Sequence, residues 1–150
     1  MSDRKLIPEK IEIFDFKIIK GQIESPFEFD NSLVKGHDFN LSFETAMNIE
    51  EKMVKADFIV SIKTQSEKNS TEEAQGNFHF VFIFHVENME DLVEKNGKNN
   101  PDDFKVDGAL GNALASITYS TSRGILMTRF QGTSLENFIL PVINPNDLLE

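Results

Sequence analysis

The chain contains a ten-residue run, residues 77–86, in which phenylalanine occupies every second position. It reads N-F-H-F-V-F-I-F-H-V. Successive side chains of a strand point to opposite faces, so this run predicts a strand with one aromatic face and an opposite face that carries Val81 and Ile83. Such a strand must be covered on both faces, by the chain's own helix on one and by a partner subunit or a client protein on the other. The aromatic face consists of Phe78, Phe80, Phe82 and Phe84.

The four phenylalanines have two interpretations. In the first, they form the core of the domain beneath a helix. In the second, part of this aromatic surface is an exposed groove for apolar segments of other proteins. The sequence alone leaves both open.

Three further segments alternate between apolar and polar residues as strands do. They are residues 11–19, 39–45 and 57–64. The alternation of the first slips near Phe14, as at a β-bulge. Residues 66–76 are polar and predict the connection of a hairpin.

The apolar period changes after Pro101, where apolar residues recur at intervals of three and four. This period predicts one amphipathic helix over residues 104–127, capped at its start by Asp102 or Asp103. Beyond it, an extended apolar stretch precedes an Asn/Pro/Asp-rich turn that predicts a short last helix.

This order of elements predicts a single α+β domain over residues 1–150, with residues 1–8 flexible. Its predicted fold is a four-stranded antiparallel sheet followed by a long helix and a short C-terminal helix. No apolar run approaches the roughly 18 residues that a membrane helix needs, and the first residues do not resemble a signal peptide. We therefore expect a cytoplasmic protein.

Charge and composition narrow the classes of partner. The net charge is −10, from 25 acidic and 15 basic residues. Nucleic acids and anionic membranes attract proteins of the opposite sign, so neutral or basic partners are expected, with no nucleic acid and no membrane insertion. Cysteine is absent, which excludes disulfides and thiolate chemistry.

The sequence offers no constellation of residues typical of an enzyme. His79 and His85 share a face of one strand but lie six residues apart, about 20 Å, so one subunit cannot use both for one metal ion. Residues 103–114 resemble a calcium loop but place Lys105 and Leu114 where ligands are required. No serine lies in a G-x-S-x-G motif. We therefore expect no enzymatic activity, no cofactor and no metal.

Two stretches near the C-terminus carry a more specific pattern. Residues 115–130 read A-S-I-T-Y-S-T-S-R-G-I-L-M-T-R-F, and residues 138–149 read F-I-L-P-V-I-N-P-N-D-L-L. They resemble the end of the protein-export chaperone SecB family, in which a long helix ends at Ser-Arg-Gly, here residues 122–124. An apolar-Pro-Val stretch and a short last helix follow there. Upstream, I-E-S-P at residues 23–26 is similar to the pattern that closes the family's first strand.

The resemblance implies a function. Members of this family bind unfolded or slowly folding polypeptides without ATP and hold them for export, as a homotetramer built as a dimer of dimers. It implies an oligomer interface on the small residues Ala113, Ser120 and Gly124, and a helix that ends at Gly124. The client-binding groove that it implies consists of Phe78, Phe80, Phe82, Phe84, Ile125, Met127, Ile139 and Val142.

The family also delivers clients to the motor ATPase SecA, which docks on acids of the outer sheet face. Glu24 matches one of those acids, whereas the strand of residues 77–86 offers Phe, His, Val and Ile where another is expected. SecB-like proteins dedicated to a single client, such as an antitoxin, are therefore an alternative. Outside the family, the alternatives are a small-ligand-binding or structural α+β protein and a hydrolase that uses a serine or His85.

Overall fold

A computed structural model describes residues 6–67, 72–95 and 104–149. The four long strands form one antiparallel sheet in which the first strand of the chain pairs with the fourth, the fourth with the third and the third with the second, and the two short strands form a separate hairpin. The predicted four-stranded antiparallel sheet and the long helix after it are confirmed. The predicted flexible segment, residues 1–8, lies mostly outside the described residues. The elements are β1 (Ile11–Glu24), β2 (Val34–Asn48), β3 (Met53–Ser66), β4 (Gln75–Val86), β5 (Val93–Lys95), β6 (Phe104–Val106) and α1 (Gly108–Arg129), with 3-10 turns at Pro8–Lys10, Asn31–Leu33, Met89–Asp91 and Pro145–Leu149.

The core lies on one face of the sheet, between the central strands and α1. The side chains of Phe78, Phe80, Phe82 and Phe84 are each at most 1% exposed. Helix α1 and its C-cap residue Phe130 lie over this face: the Tyr119 ring lies 5.8 Å from that of Phe58 on β3, and the Phe130 ring lies 5.7 Å from that of Phe78. Of the two interpretations of the aromatic stripe, the structure shows the core, so none of the four is available on the surface of the subunit.

Long polar side chains border the apolar residues of the opposite sheet face. In the described part of the chain, no helix covers this face. Val81 is nevertheless buried, between Lys17 of β1 and Asp57 of β3 in the strand register. The methylenes of lysine can cover apolar surface while the ammonium group stays in water. The sequence predicted that a second subunit or a client covers this face, and that stays a prediction.

Strand β1 is an edge strand with two irregularities. Its register with β4 shifts between Ile13 and Asp15 and again between Ile18 and Lys20. The first shift confirms the predicted bulge at Phe14. Phe14 and Ile19, the residues at the shifts, are exposed apolar side chains on an unpaired strand edge. Such an edge can pair with another chain.

The helix begins four residues later than the sequence predicted. Residues 104–106 form β6 and pair with β5, because their apolar-Lys-apolar alternation suits a short strand as well as a helix. Helix α1 begins at Gly108, and the Asp107 carboxylate accepts a hydrogen bond from the Ala109 amide at 2.8 Å. The observed cap is thus Asp107; the predicted caps, Asp102 and Asp103, lie outside the described residues.

The helix also continues past the Ser-Arg-Gly motif, so the expected end at Gly124 is wrong. It reaches Arg129, and the chain turns at Gly132, whose φ of 76° suits glycine. A glycine inside a helix costs about 1 kcal/mol relative to alanine. Burial of Leu126 and Phe130 in the following turn contributes about 1.5–3 kcal/mol for each side chain. This larger contribution keeps the last turn helical.

The segment after the helix, residues 131–149, returns across the sheet, and we call it the tail. Phe138 of the tail packs on β2, where its ring centroid lies 5.5 Å from that of Phe39 and 5.1 Å from that of His37. Burial lowers the pKa of His37, so the neutral ring is favoured there. The predicted short C-terminal helix is the 3-10 turn Pro145–Leu149, which packs between α1 and β2.

Candidate functional site

A cleft of about 210 Å³ separates α1 from the tail where the two run side by side, and we call it the helix–tail cleft. The helix side is mostly polar and the tail side mostly apolar. A concave surface with apolar walls and a few polar groups is typical of a binding site. The cleft is lined by Ser116, Tyr119, Ser120 and Arg123 of α1 and by Val142, Ile143 and Pro145 of the tail.

Two hydrogen bonds hold the tail beside the helix. The Tyr119 hydroxyl donates to the Pro141 carbonyl at 2.5 Å, and the Asn112 amide donates to the Asn146 side chain at 3.0 Å. Burial raises the pKa of the Tyr119 hydroxyl, and the charge of Arg123 partly offsets this effect. The hydroxyl therefore stays protonated, and a donor, through the neutral pH range.

The pKa of Tyr119 can be measured directly, since it is the sole tyrosine and the chain has no tryptophan. We expect the alkaline rise in tyrosinate absorbance to have its midpoint above the usual value of about 10. Replacement by phenylalanine should abolish the rise and lower the free energy of unfolding by about 0.5–1.5 kcal/mol, because one hydrogen bond is lost. A midpoint at or below 10 in the folded protein would contradict the buried, hydrogen-bonded hydroxyl.

The remaining residues of the predicted client groove fall into three environments. Val142 lines the cleft and is 86% exposed. Ile139 and Met127 are also exposed, on the tail and on α1. Ile125 is partly buried and packs against the core. Of these four residues, Val142 alone lines the cleft. The structure therefore brings the predicted groove together only in part.

The outward face of α1 carries the small residues predicted as an oligomer interface. Ala113 is partly exposed, and Ser120 and Gly124 are exposed. A Cβ built on Gly124 meets no atom within 4 Å. The whole 22-residue helix has only two charged residues, Arg123 and Arg129. A helix face in contact with water is normally rich in charge, so this face is suited to contact with another helix.

Glu24 lies at the end of β1 beside two further acids. The Gln75 amide donates to its carboxylate at 3.4 Å, and Glu72 and Glu73 line the same shallow cleft of about 200 Å³. The sequence reasoning missed this grouping. Its signal was the acid pair Glu72-Glu73 just upstream of β4, since strands β1 and β4 are antiparallel and bring Glu24 opposite Gln75.

The histidines of β4 have structural partners on the outer sheet face. His79 Nε2 lies 2.7 Å from Asp57 Oδ1, and His85 Nδ1 lies 3.7 Å from Glu12 Oε1. Among the residues that the structure describes, no three His, Asp or Glu side chains form a group that could hold a metal ion. Within the same ranges, no helix is both long and apolar enough to cross a membrane.

The sheet order, the helix on one face and the returning tail define the SecB-like fold. The SecB-like chaperone Rv1957 of Mycobacterium tuberculosis, solved in complex with a ChAD peptide from the Rv1956 HigA1 antitoxin, has this fold. It superposes with a TM-score of 0.56 over 90% of this chain and 91% of that chain, at 13% sequence identity. No protein-family model matches the sequence, and no curated protein matches it significantly. The predicted fold class is confirmed.

Proposed function

We propose that this protein is an ATP-independent holdase chaperone that binds unfolded or slowly folding polypeptides. The exposed apolar side chains of the tail, beside the helix–tail cleft, carry this proposal. Val142 lies in the helix–tail cleft with most of its surface in water. Apolar side chains arranged around a cleft suit an extended apolar segment of another protein. The SecB-like fold supports the same function.

In this proposal, the protein has no enzymatic activity and no cofactor, and it works in the cytoplasm. Its net charge of −10 favours encounters with basic clients over long range. Delivery to the export motor SecA is a second step, for which the acidic grouping of Glu24, Glu72 and Glu73 is the docking surface.

A chaperone dedicated to one client is the second form of this function. Two observations favour it. On the outer sheet face, strand β4 presents His79 and Val81, and no acid, at the centre of the sheet. In addition, the SecB-like chaperone of the same fold was solved with a peptide from an antitoxin.

Suppression of aggregation distinguishes these forms. A slowly refolding protein is diluted from denaturant with and without this chain, in the absence of ATP, while light scattering and the mass of the complex are followed. Suppression by near-stoichiometric amounts, with a stable complex, is expected of a general holdase. If scattering is unchanged, general holding is excluded, and a dedicated client or a small ligand takes its place.

The proposed assembly is a homotetramer, a dimer of dimers. The free edge of β1, with Phe14 and Ile19 exposed at its bulges, suits pairing between two subunits. The small-residue face of α1 suits contact between two such dimers. Several copies of the helix–tail cleft on one particle would strengthen the binding of a long client through multivalency.

Substitution of Gly124 by leucine tests the helix contact. Leucine has a higher helix propensity than glycine, and the space around Gly124 in the subunit is open. We therefore expect an intact fold and a shift of mass from tetramer to dimer, measured by light scattering after gel filtration. Circular dichroism serves as the control for folding. A tetramer of unchanged mass would show that this face is not the contact.

A further inference from the structure

We propose that the helix–tail cleft selects client segments in which a carboxylate lies next to apolar residues, and that Arg123 is the residue that determines this preference. The inference rests on the proposed function, because it names the class of polypeptide that the same cleft binds. Apolar contact alone would make the cleft indifferent to charge.

Arg123 is a cation without a partner in the described part of the chain. Its side chain lines the cleft and is partly buried. None of the ion pairs formed by the described residues includes it. The neighbouring Tyr119 hydroxyl feels its charge but already donates its proton to Pro141. A guanidinium group has five N–H donors, which leaves Arg123 able to bind an acceptor supplied from outside.

The rest of the cleft makes a carboxylate the fitting acceptor. Its other lining residues are serines, a tyrosine, a proline and aliphatic side chains, with no acid among them. Guanidinium and carboxylate groups match in planar, two-pronged geometry, and such charge-assisted bonds are about twice as strong as neutral ones. Val142 and Ile143 beside Arg123 would contact the apolar neighbours of that carboxylate.

This local preference opposes the long-range effect of the net charge. A chain of charge −10 repels acidic molecules at a distance, but salt of about 0.15 M screens charges beyond roughly 8 Å. A partly buried contact at Arg123 is screened less. The preference for a carboxylate should therefore persist when salt is raised, while the attraction of basic clients should weaken.

The test uses three fluorescent peptides of nine residues with capped ends and the same apolar residues, differing only in a central Glu, Gln or Lys. Binding to the full chain is measured by fluorescence anisotropy at about 0.15 M salt. We expect the Glu peptide to bind roughly 3- to 10-fold more tightly than the Gln peptide and the Lys peptide to bind least well. Equal binding of the Glu and Gln peptides to the unmodified chain would overturn the inference alone. Failure of all three to bind would overturn the proposed function and the inference together.

Variants assign the preference to one residue. In Arg123→Gln, the ratio of Glu to Gln affinities should fall to about 1, and in Arg123→Lys part of the preference should return. Arg129→Gln removes the same charge from the same helix, at an exposed position outside the cleft, and should keep the ratio of the unmodified chain. A preference that survives in Arg123→Gln, or one that is lost equally in Arg129→Gln, would refute the role of Arg123.

Discussion

Replacement of Phe82 by alanine is expected to lower the free energy of unfolding by about 3–5 kcal/mol. The side chain is 0% exposed, and its ring contacts Phe16 at 4.8 Å and Phe84 at 6.0 Å between centroids. Truncation removes apolar area from the core and leaves a cavity between strands that the sheet hydrogen bonds hold in place. For a domain of this size, so large a loss is a sizeable fraction of the total stability.

Urea denaturation followed by circular dichroism measures this loss. Phe27→Ala is the matched control, because Phe27 is 103% exposed and lies in the turn after β1. The control should change the free energy of unfolding by no more than about 0.5 kcal/mol. If Phe82→Ala were as mild as its control, the aromatic stripe could not be the core of the subunit.

Replacement of Val142 by aspartate is expected to weaken client binding about tenfold or more with little effect on stability. The side chain is exposed beside the cleft, so the fold loses little buried area. The new carboxylate removes apolar contact with the client. It also lies in the same cleft as Arg123, where it would pair with the guanidinium group that is proposed to bind the client's carboxylate.

Phe27→Asp separates this effect from a change in net charge. It adds one negative charge at another exposed apolar position, away from the cleft, and should leave aggregation suppression within about twofold of the unmodified chain. Both variants are compared in the light-scattering assay and by anisotropy with the Glu peptide. Val142→Asp with full activity would place the client surface elsewhere on the molecule.

The sheet could be predicted from the sequence because its strands are long and their alternation is strong. The bulge at Phe14 followed from one slip in that alternation. The short hairpin of β5 and β6 could not be predicted, since three-residue strands carry too little pattern to distinguish them from a helix start. The continuation of α1 past Gly124 depends on burial of Phe130 against Phe78, a contact between residues 52 positions apart that no local pattern contains.

The candidate site was predictable only in its apolar part. Val142 was identified because the tail resembles that of a SecB-like protein. Whether the aromatic stripe was core or groove depended on what covers it, and cover is set by tertiary packing rather than by periodicity. Arg123 was visible only as part of a helix-ending motif. Its place in the cleft follows from the return of the tail along α1, held by the bond from Tyr119 to Pro141.

The tail has a consequence for the biosynthesis of the molecule. Leu135, Phe138 and Leu140 are buried on the sheet, and a Cβ added at Gly76 would lie 2.6 Å from Leu135. The aromatic core formed by residues 78–84 therefore stays incompletely covered until the ribosome has released residues 135–148. During that interval the nascent chain exposes the same kind of apolar surface that a holdase binds. Under the proposed holdase function, each new copy would itself be a client of the mature copies already in the cell.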